Sequence, residues 1–305
     1  MSDTTDINKI IFDKIETDVA EAGKKITEEL HPKVVANVLD ELKIVRPLKI
    51  KYSKVPPVSG LSHEITETVL KYIGARIPLL LVGHAGSGKT HIAIQCAKIL
   101  GLDSYSISVN EQTSKSDFLG YNDAHGKLVM TNFRRAYEKG GVFIIDEIDA
   151  GNPNILTVVN SALSNDMCPF PDGMVQRHKD FVCVCTANTF GEGESLQYIG
   201  RNILDAATRD RFATLFVDYS KGLEKVLVPT FSSFLDELRT HFKKNNTNQI
   251  VSTRAGIRLE TLCAANGGVV TKEEIISCMN LHQESLRDQR VVEIVTKHVQ
   301  SGPSL

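Results

Sequence analysis

Apolar residues along this chain fall into two repeating patterns. Short runs that are almost continuously apolar predict buried strands, whereas apolar positions three or four residues apart predict helices packed against them. The predicted strands are 79–82, 105–109, 142–146, 181–186 and 213–217. Helical patterns, such as 91–100 and 132–139, lie between them. Because strands alternate with helices, we expect an α/β fold with a five-stranded parallel sheet between layers of helices.

The two ends of the chain predict further helical parts. Apolar positions spaced by three and four predict an amphipathic helix over 8–30, which either packs on its own domain or docks a partner. After Ser220 no clear buried-strand run follows, and helical segments are predicted near 229–244, 254–265, 272–282 and 286–300. We therefore predict a helical extension at 1–46, an α/β core at 47–220 and a helical lid at 221–305.

Composition limits the kind of protein. The chain has 305 residues, 42% of them hydrophobic and 24% charged, as in globular proteins, and a formal net charge of −2. That charge gives no general attraction to nucleic acid or to a membrane surface, and no apolar run has the length of a membrane span. The N-terminus does not resemble a signal peptide, so we expect a cytoplasmic protein whose six cysteines are reduced.

A glycine-rich segment, GHAGSGKT, follows the strand at 79–82. It fits the pattern G-x-x-x-x-G-K-[ST], in which glycines let backbone N–H groups turn toward phosphate oxygens at the start of a helix. In this pattern Lys89 reaches the β- and γ-phosphates, and the Thr90 hydroxyl binds Mg²⁺. The residues predicted to hold the nucleotide are Gly83, His84, Ala85, Gly86, Ser87, Gly88, Lys89, Thr90 and His91.

A second motif, FIIDE at 143–147, places two carboxylates at the end of a predicted strand. Ligands of open α/β sheets collect at the carboxyl ends of the strands. Asp146 is suited to hold Mg²⁺, and Glu147 to orient and polarise a water for attack on the γ-phosphate. A small-molecule kinase has no need of the second carboxylate, because its acceptor is not water. The two motifs together therefore favour nucleotide hydrolysis.

These motifs resemble those of AAA+ ATPases, with GHAGSGKT as Walker A and FIIDE as Walker B, over about half of the chain. The runs DEIDAGNP at 146–153 and TANTFG at 186–191 resemble the MoxR and dynein-related branch. That branch includes the cobaltochelatase ATPase subunit and phage-encoded ATPases. The resemblance implies a P-loop NTPase fold, ATP and Mg²⁺ as cofactors, and, for a phage protein, the host cytoplasm as location.

The resemblance also implies roles for polar residues at two strand ends. Asn188, directly after the strand at 181–186, matches sensor 1, which holds the attacking water or the γ-phosphate. Its amide can donate a hydrogen bond without adding charge beside Glu147. Asn110 matches the polar residue that restrains the catalytic glutamate in related ATPases, and a simple strand-end cap explains it equally well.

Three arginines match family positions that contact phosphate. Arg211 matches the arginine finger, which acts on the nucleotide of a neighbouring subunit, and Arg209 is the alternative. One of the two is expected to form a structural ion pair. Arg254, at the start of a predicted helix, matches the sensor 2 arginine of the lid, although an arginine at a helix start is often simply solvated.

Two insertions complete the resemblance. Residues 120–131 and 168–179 fall where this branch carries hairpins that face a central pore, and ordinary surface hairpins fit them equally well. The family relationship implies a homo-oligomer, a hexameric ring in particular. It also implies a protein client or adaptor, of which a von Willebrand A-like domain is one example.

We therefore predict an ATP-hydrolysing, ring-forming AAA+ ATPase that couples turnover to remodelling of a protein partner. One alternative is a DNA-directed motor, although phosphate tracking requires clustered lysines and arginines. Another is a nucleotide-gated assembly scaffold with little turnover. The set of predicted catalytic groups, Glu147, Asn188 and Arg211, favours hydrolysis over the scaffold.

Overall fold

The computed structural model describes residues 61–194 and 197–299. The helical extension predicted at 1–46 and the start of the predicted core, 47–60, lie outside the described residues. The described residues from Ser62 onward belong to one compact unit. Within the described ranges no helix is long and apolar enough to cross a membrane.

Strands and helices alternate through the first two thirds of the described chain. The strands in chain order are β1 (Leu79–Val82), β2 (Ser104–Ser108), β3 (Tyr121–Asn122), β4 (Leu128–Val129), β5 (Gly141–Asp146), β6 (Met167–Phe170), β7 (Gly173–Gln176), β8 (Phe181–Ala187) and β9 (Ala213–Phe216). The helices are α1 (Thr66–Gly74), α2 (Lys89–Ile99), α3 (Lys115–Leu119), α4 (Asn132–Lys139), α5 (Pro153–Ser164), α6 (Ala206–Arg209), α7 (Lys221–Leu227), α8 (Ser232–Lys244), α9 (Thr253–Ala265), α10 (Lys272–Met279) and α11 (Gln289–Lys297).

The main sheet has five parallel strands in the order β2-β5-β8-β1-β9, which confirms the predicted fold class. Residues of β1, β5 and β8 are almost all buried, whereas the edge strands β2 and β9 alternate between partly buried and exposed residues. Parallel pairing directs the carboxyl ends of all five strands to one edge. Asp146 therefore ends its strand beside the loop that follows β1.

Alternate residues of the central strands enter two separate apolar layers. Leu80, Phe143 and Cys183 pack on one face, with α3, α4 and the β6–β7 hairpin. The other face packs against α1 and α2. It is formed by residues next to these in the sequence: Leu79, Val142 and Val184. Burial on both faces explains why these strands are nearly continuous apolar runs in the sequence.

Two antiparallel hairpins lie at the predicted insertions. β3 pairs with β4 between α3 and α4, and β6 pairs with β7 just before β8. The first hairpin lies within the predicted range 120–131, and the second begins at Met167, one residue before the predicted range 168–179. Whether they face a pore stays a prediction.

The described residues after Ser220, up to residue 299, form helices and connecting loops, with an apolar core of their own formed by α8, α9, α10 and α11. The described helices begin or end a few residues from the predicted segments. The apolar pattern did not predict helix α7. The Ser220 hydroxyl caps its first turn by accepting a hydrogen bond from the Leu223 N–H at 3.1 Å. The division into core and lid at residue 220 stays a prediction.

Candidate functional site

The glycine-rich loop joins β1 to α2 and needs glycine for two different reasons. Gly86 and Gly88 have φ values of +74° and +94°, in the left-handed region that favours glycine. Gly83 is constrained by a close contact instead, because a Cβ there would lie 2.0 Å from the carbonyl oxygen of Val217, directly after β9. The loop is thus shaped by its own backbone and by the end of the neighbouring strand.

A cleft of about 250 Å³ opens between this loop, the ends of β5 and β8, and the start of α9. It brings together residues from four distant parts of the sequence that were predicted to act on one ligand. The lining residues are Ala85, Gly86, Gly88, Lys89, Thr90, His91, Asp146, Glu147, Thr186, Asn188 and Arg254. This is the candidate nucleotide site.

Lys89 is held inside the cleft by three oxygen atoms. Its Nζ donates to the carbonyl oxygens of Gly83 at 2.7 Å and His84 at 3.0 Å, and to Oδ1 of Asn188 at 3.0 Å. Burial lowers the pKa of Lys89 to about 8, against the opposing influence of nearby carboxylates, Asp146 first among them. Phosphate oxygens would favour the charged ammonium, so the geometry suits an anionic ligand.

Asp146 lies among hydroxyl groups. Its Oδ1 accepts hydrogen bonds from Thr90 Oγ1 at 3.0 Å and from Thr186 Oγ1. Carboxylate and hydroxyl oxygens are ligands that Mg²⁺ prefers, and this ion usually takes its remaining ligands from phosphate and water. The described residues contain no group of three or more His, Cys, Asp or Glu side chains suited to hold a metal. The oxygen atoms of Thr90 and Asp146 fit a Mg²⁺ ion whose other ligands come from phosphate and water.

Glu147 follows Asp146 in an unusual backbone conformation. Its φ of 59° is left-handed, which costs a non-glycine residue about 1–3 kcal/mol. The Glu147 N–H donates to Thr186 Oγ1 at 3.2 Å. Since Thr186 also donates to Asp146, one hydroxyl at the end of β8 orders the main chain and side chain of the acidic pair.

Several contacts of the site were not predicted from the sequence. Arg201 lies 3.3 Å from Glu147 Oε2 and 3.2 Å from Asp149 Oδ1. The Ala85 N–H donates to the Tyr198 hydroxyl at 3.1 Å, and the Tyr219 hydroxyl donates to the Ala85 carbonyl at 2.9 Å. These side chains belong to irregular segments, where no hydrophobic period marks them. Asp149 differs from these residues because it lies in the run DEIDAGNP at 146–153, but the sequence predicted no role for it.

His84 does not line the cleft but stacks on the Tyr219 ring, with ring centroids 5.8 Å apart and an interplanar angle of 12°. Burial is the main cause that lowers the pKa of His84. The Arg239 guanidinium also lies over the Tyr219 ring, 3.8 Å from its centroid. Through the Tyr219 ring, the glycine-rich loop is therefore connected to helix α8.

Arg254 reaches the cleft from helix α9. The helix begins after Ser252, whose hydroxyl accepts from the Ala255 N–H at 3.1 Å. A Cβ on Gly86 would lie 2.8 Å from Ser252 Cβ and 3.3 Å from Arg254 Cβ, so the start of α9 and the P-loop are in close contact. The structure thus brings Arg254 beside the loop.

Arg209, Arg211 and Asn110 are not brought into this cleft. Arg209 is exposed at the end of α6, and Arg211 contacts Ser164 Oγ at 3.1 Å and the Ala207 carbonyl. Asn110 Oδ1 accepts from the Gln112 N–H at 2.8 Å, which is the strand-end cap that was one of its two interpretations. Either arginine could act as the arginine finger only on a nucleotide bound to a second molecule.

Comparison with known proteins agrees with the motifs. Residues 78–212 match the family model described as the AAA domain of the dynein-related subfamily. Midasin of Giardia intestinalis is 26% identical over 214 residues, which cover 67% of this chain and 4% of midasin. An uncharacterized Staphylococcus epidermidis protein is 25% identical over 191 residues, covering 58% of this chain and 70% of that protein. The chain thus spans only a small part of midasin.

Among solved structures, a Thermotoga maritima RuvB mutant aligns with a TM-score of 0.48 and 15% identity. The alignment covers 80% of this chain and 79% of the RuvB chain.

Proposed function

We propose that this chain, which carries an AAA domain of the dynein-related subfamily, binds ATP with Mg²⁺ and hydrolyses it at a site completed by a second copy of the chain. One observation carries the proposal. Lys89, Thr90, Asp146, Glu147 and Asn188 come from three sequence segments and line one cleft. Each has the chemistry that phosphate binding, Mg²⁺ binding or water activation requires.

Each of these residues has a separate role in ATP hydrolysis. The P-loop N–H groups and Lys89 hold the phosphates, and Thr90 with Asp146 would hold Mg²⁺, which neutralises phosphate charge when it is bound. Glu147 orients a water so that its oxygen bonds to the γ-phosphorus while the bond to ADP breaks, and it takes up a proton of that water. Asn188 donates a hydrogen bond to the attacking water or to the γ-phosphate.

The second copy would supply an arginine. Arg211 lies away from the cleft of its own chain, and its guanidinium contacts neutral oxygen atoms of Ser164 and Ala207. A guanidinium placed against the γ-phosphate of a neighbour offsets charge that develops during transfer, worth about 10³–10⁵ in rate. The proposed assembly is a ring, in which each cleft meets the Arg211 surface of the next copy.

We further propose that turnover remodels a protein partner. The hairpins expose Tyr121 (54%), Met167 (46%) and Met174 (58%), and side chains of this kind are suited to contacts with a polypeptide. A DNA track would call for clustered lysines and arginines, and the chain has a net charge of −2.

Calorimetry of ATP with the Lys89→Ala variant tests the site assignment. We expect loss of measurable binding, because the variant removes the only lysine that lines the cleft of the described structure. Lys98→Ala is the matched control, since Lys98 is exposed on the same helix α2. Unchanged ATP affinity in Lys89→Ala would contradict the proposal, as would an equal loss in both variants.

A further inference from the structure

Arg201 lies in the segment between β8 and α6 and bridges two acidic side chains. Its Nη1 and Nη2 atoms each lie 3.3 Å from Glu147 Oε2, and Nη1 also lies 3.2 Å from Asp149 Oδ1. Only 13% of the Arg201 side chain is exposed, and Asp149 is fully buried. The guanidinium therefore connects a carboxylate of the cleft to a carboxylate in the protein interior.

Asp149 is a fixed anchor for this arginine. Its second oxygen, Oδ2, accepts from the Asn188 N–H at 3.1 Å, from the Thr189 N–H at 3.0 Å and from the Thr189 hydroxyl at 2.9 Å. A buried carboxylate with this many hydrogen bonds has one well-defined position. Arg201 and the main chain of Asn188 are therefore held by the same side chain.

The residue after Arg201 fixes the local main chain as well. The Asn202 N–H donates to the Asp149 carbonyl at 2.7 Å, and the Asn202 side-chain amide donates to the Gly151 carbonyl at 3.0 Å. Residues 201–202 are thus attached to the turn that follows Glu147. This attachment limits how far the guanidinium can move from the glutamate.

Glu147 has little else to hold its carboxylate. Its side chain is 47% exposed, and within the described residues its carboxylate hydrogen bonds come from Arg201 and end on Oε2. The family resemblance predicted that Asn110 restrains the catalytic glutamate. Its side chain instead accepts a hydrogen bond from the N–H of Gln112 in a local turn. Oε1 has no hydrogen-bond partner among the described residues and remains available to a water.

We propose that Arg201 is a positioning residue that holds Glu147 by one oxygen and leaves the other free for the attacking water. The inference rests on the proposed ATP hydrolysis and names a residue that sets its rate. Arg201 acts through Glu147, so its loss changes turnover and leaves ATP binding intact. A glutamate with a free side chain samples several rotamers, and only some of them meet the water in line with the γ-phosphate.

The test compares kcat, KM and ATP affinity of wild type, Arg201→Ala and Arg201→Lys in the full chain with Mg²⁺ and ATP. We expect Arg201→Ala to lower kcat by about tenfold or more, as misplacement of a catalytic group does, with KM and affinity within about twofold. Arg201→Lys keeps a cation near Asp149 and Glu147 and is expected to recover part of kcat. A fall in affinity with unchanged kcat would overturn the inference.

A second arm separates positioning from general damage to the fold. Placed in the Glu147→Gln background, Arg201→Ala is expected to leave the residual single-turnover rate unchanged, because the group it positions is already gone. A further loss there overturns the inference. Arg76→Ala is the matched control, since Arg76 pairs with Asp180 at 2.7 Å at the amino ends of β1 and β8 and should leave kcat unchanged.

The proposed function and this inference fail in different ways. A wild-type protein without ATP turnover would overturn the proposed function and remove the basis of the inference. Turnover that Glu147→Gln abolishes and Arg201→Ala leaves within twofold of wild type would overturn the inference alone.

Discussion

The Lys89 ammonium donates a 3.0 Å hydrogen bond to Oδ1 of Asn188, although 99 residues separate them in the chain. The contact exists because β1 and β8 are neighbouring parallel strands, so that the residues following their carboxyl ends meet. Lys89 occupies only the amide oxygen of Asn188, so the side-chain NH₂ group remains the donor for a water or for the γ-phosphate. The contact therefore places the phosphate-binding lysine next to the residue that we propose to act on the attacking water.

Asn188→Ala tests that role. We expect kcat to fall by about 10²–10³, the usual cost of removing one hydrogen bond that acts in the transition state. ATP affinity should change little, because Lys89 and the P-loop remain. Turnover and calorimetry on the same preparation measure both quantities, and a near-normal kcat would refute the assignment of Asn188.

Gly83→Ala tests the close contact behind the P-loop. The added Cβ would lie 2.0 Å from the Val217 carbonyl oxygen, a backbone atom that cannot rotate away. We expect a lower melting temperature and weaker ATP binding, since the loop or β9 must shift. Gly74→Ala is the control, because its Cβ has no neighbour within 4 Å. A Gly83→Ala protein with wild-type stability and affinity would show that the contact is not a constraint.

Arg211→Ala tests the composite site. We expect this variant to bind ATP normally and to reduce the turnover of wild-type protein when the two are mixed, because a wild-type cleft that faces a variant copy lacks the arginine. Arg209→Ala is measured in parallel, and the variant with the larger effect identifies the finger. If neither variant lowers the rate per wild-type subunit, the second copy does not supply an arginine.

Glu224→Ala tests the buried ion pair between helices α7 and α8. Glu224 is 2% exposed and accepts from both terminal nitrogens of Arg239 at 2.6 and 2.7 Å. Removing one partner of a buried pair costs about 3–5 kcal/mol, because the other charge is left uncompensated. Chemical denaturation measures the free energy of unfolding.

A surface ion pair provides the comparison for this variant. Lys221 and Asp236 lie 2.6 Å apart but are 70% and 45% exposed, and such pairs contribute about 0–1 kcal/mol. Asp236→Ala should therefore change stability by about 1 kcal/mol at most. Equal losses in Glu224→Ala and Asp236→Ala would contradict the importance of the buried pair.

The main sheet, the glycine-rich motif GHAGSGKT and the acidic motif FIIDE could be predicted from the sequence for a physical reason. β1, β5 and β8 are buried on both faces, so their sequences are apolar without interruption, and polar residues mark where each strand ends. The motifs follow those ends directly. Parallel pairing then brings Lys89, Asp146 and Asn188 together without further information.

Arg201 could not be predicted in the same way. It lies in an irregular segment without hydrophobic period, and its partners Glu147 and Asp149 are 54 and 52 residues away. Helix α7 was missed because it has only 7 residues, too few for a clear apolar pattern. For Asn110 the family resemblance predicted restraint of the catalytic glutamate, and a strand-end cap was the alternative. Its Oδ1 accepts a hydrogen bond from the N–H of Gln112, which is the local cap.

ATP turnover by Glu147→Gln tests the central claim most directly. The substitution keeps the shape of a side chain that is 47% exposed and removes its charge, so folding and ATP binding should persist. We expect a protein that binds ATP with wild-type affinity and releases almost no phosphate over many wild-type turnover times. Phosphate release near the wild-type rate would contradict the assignment of Glu147 and the mechanism built on it.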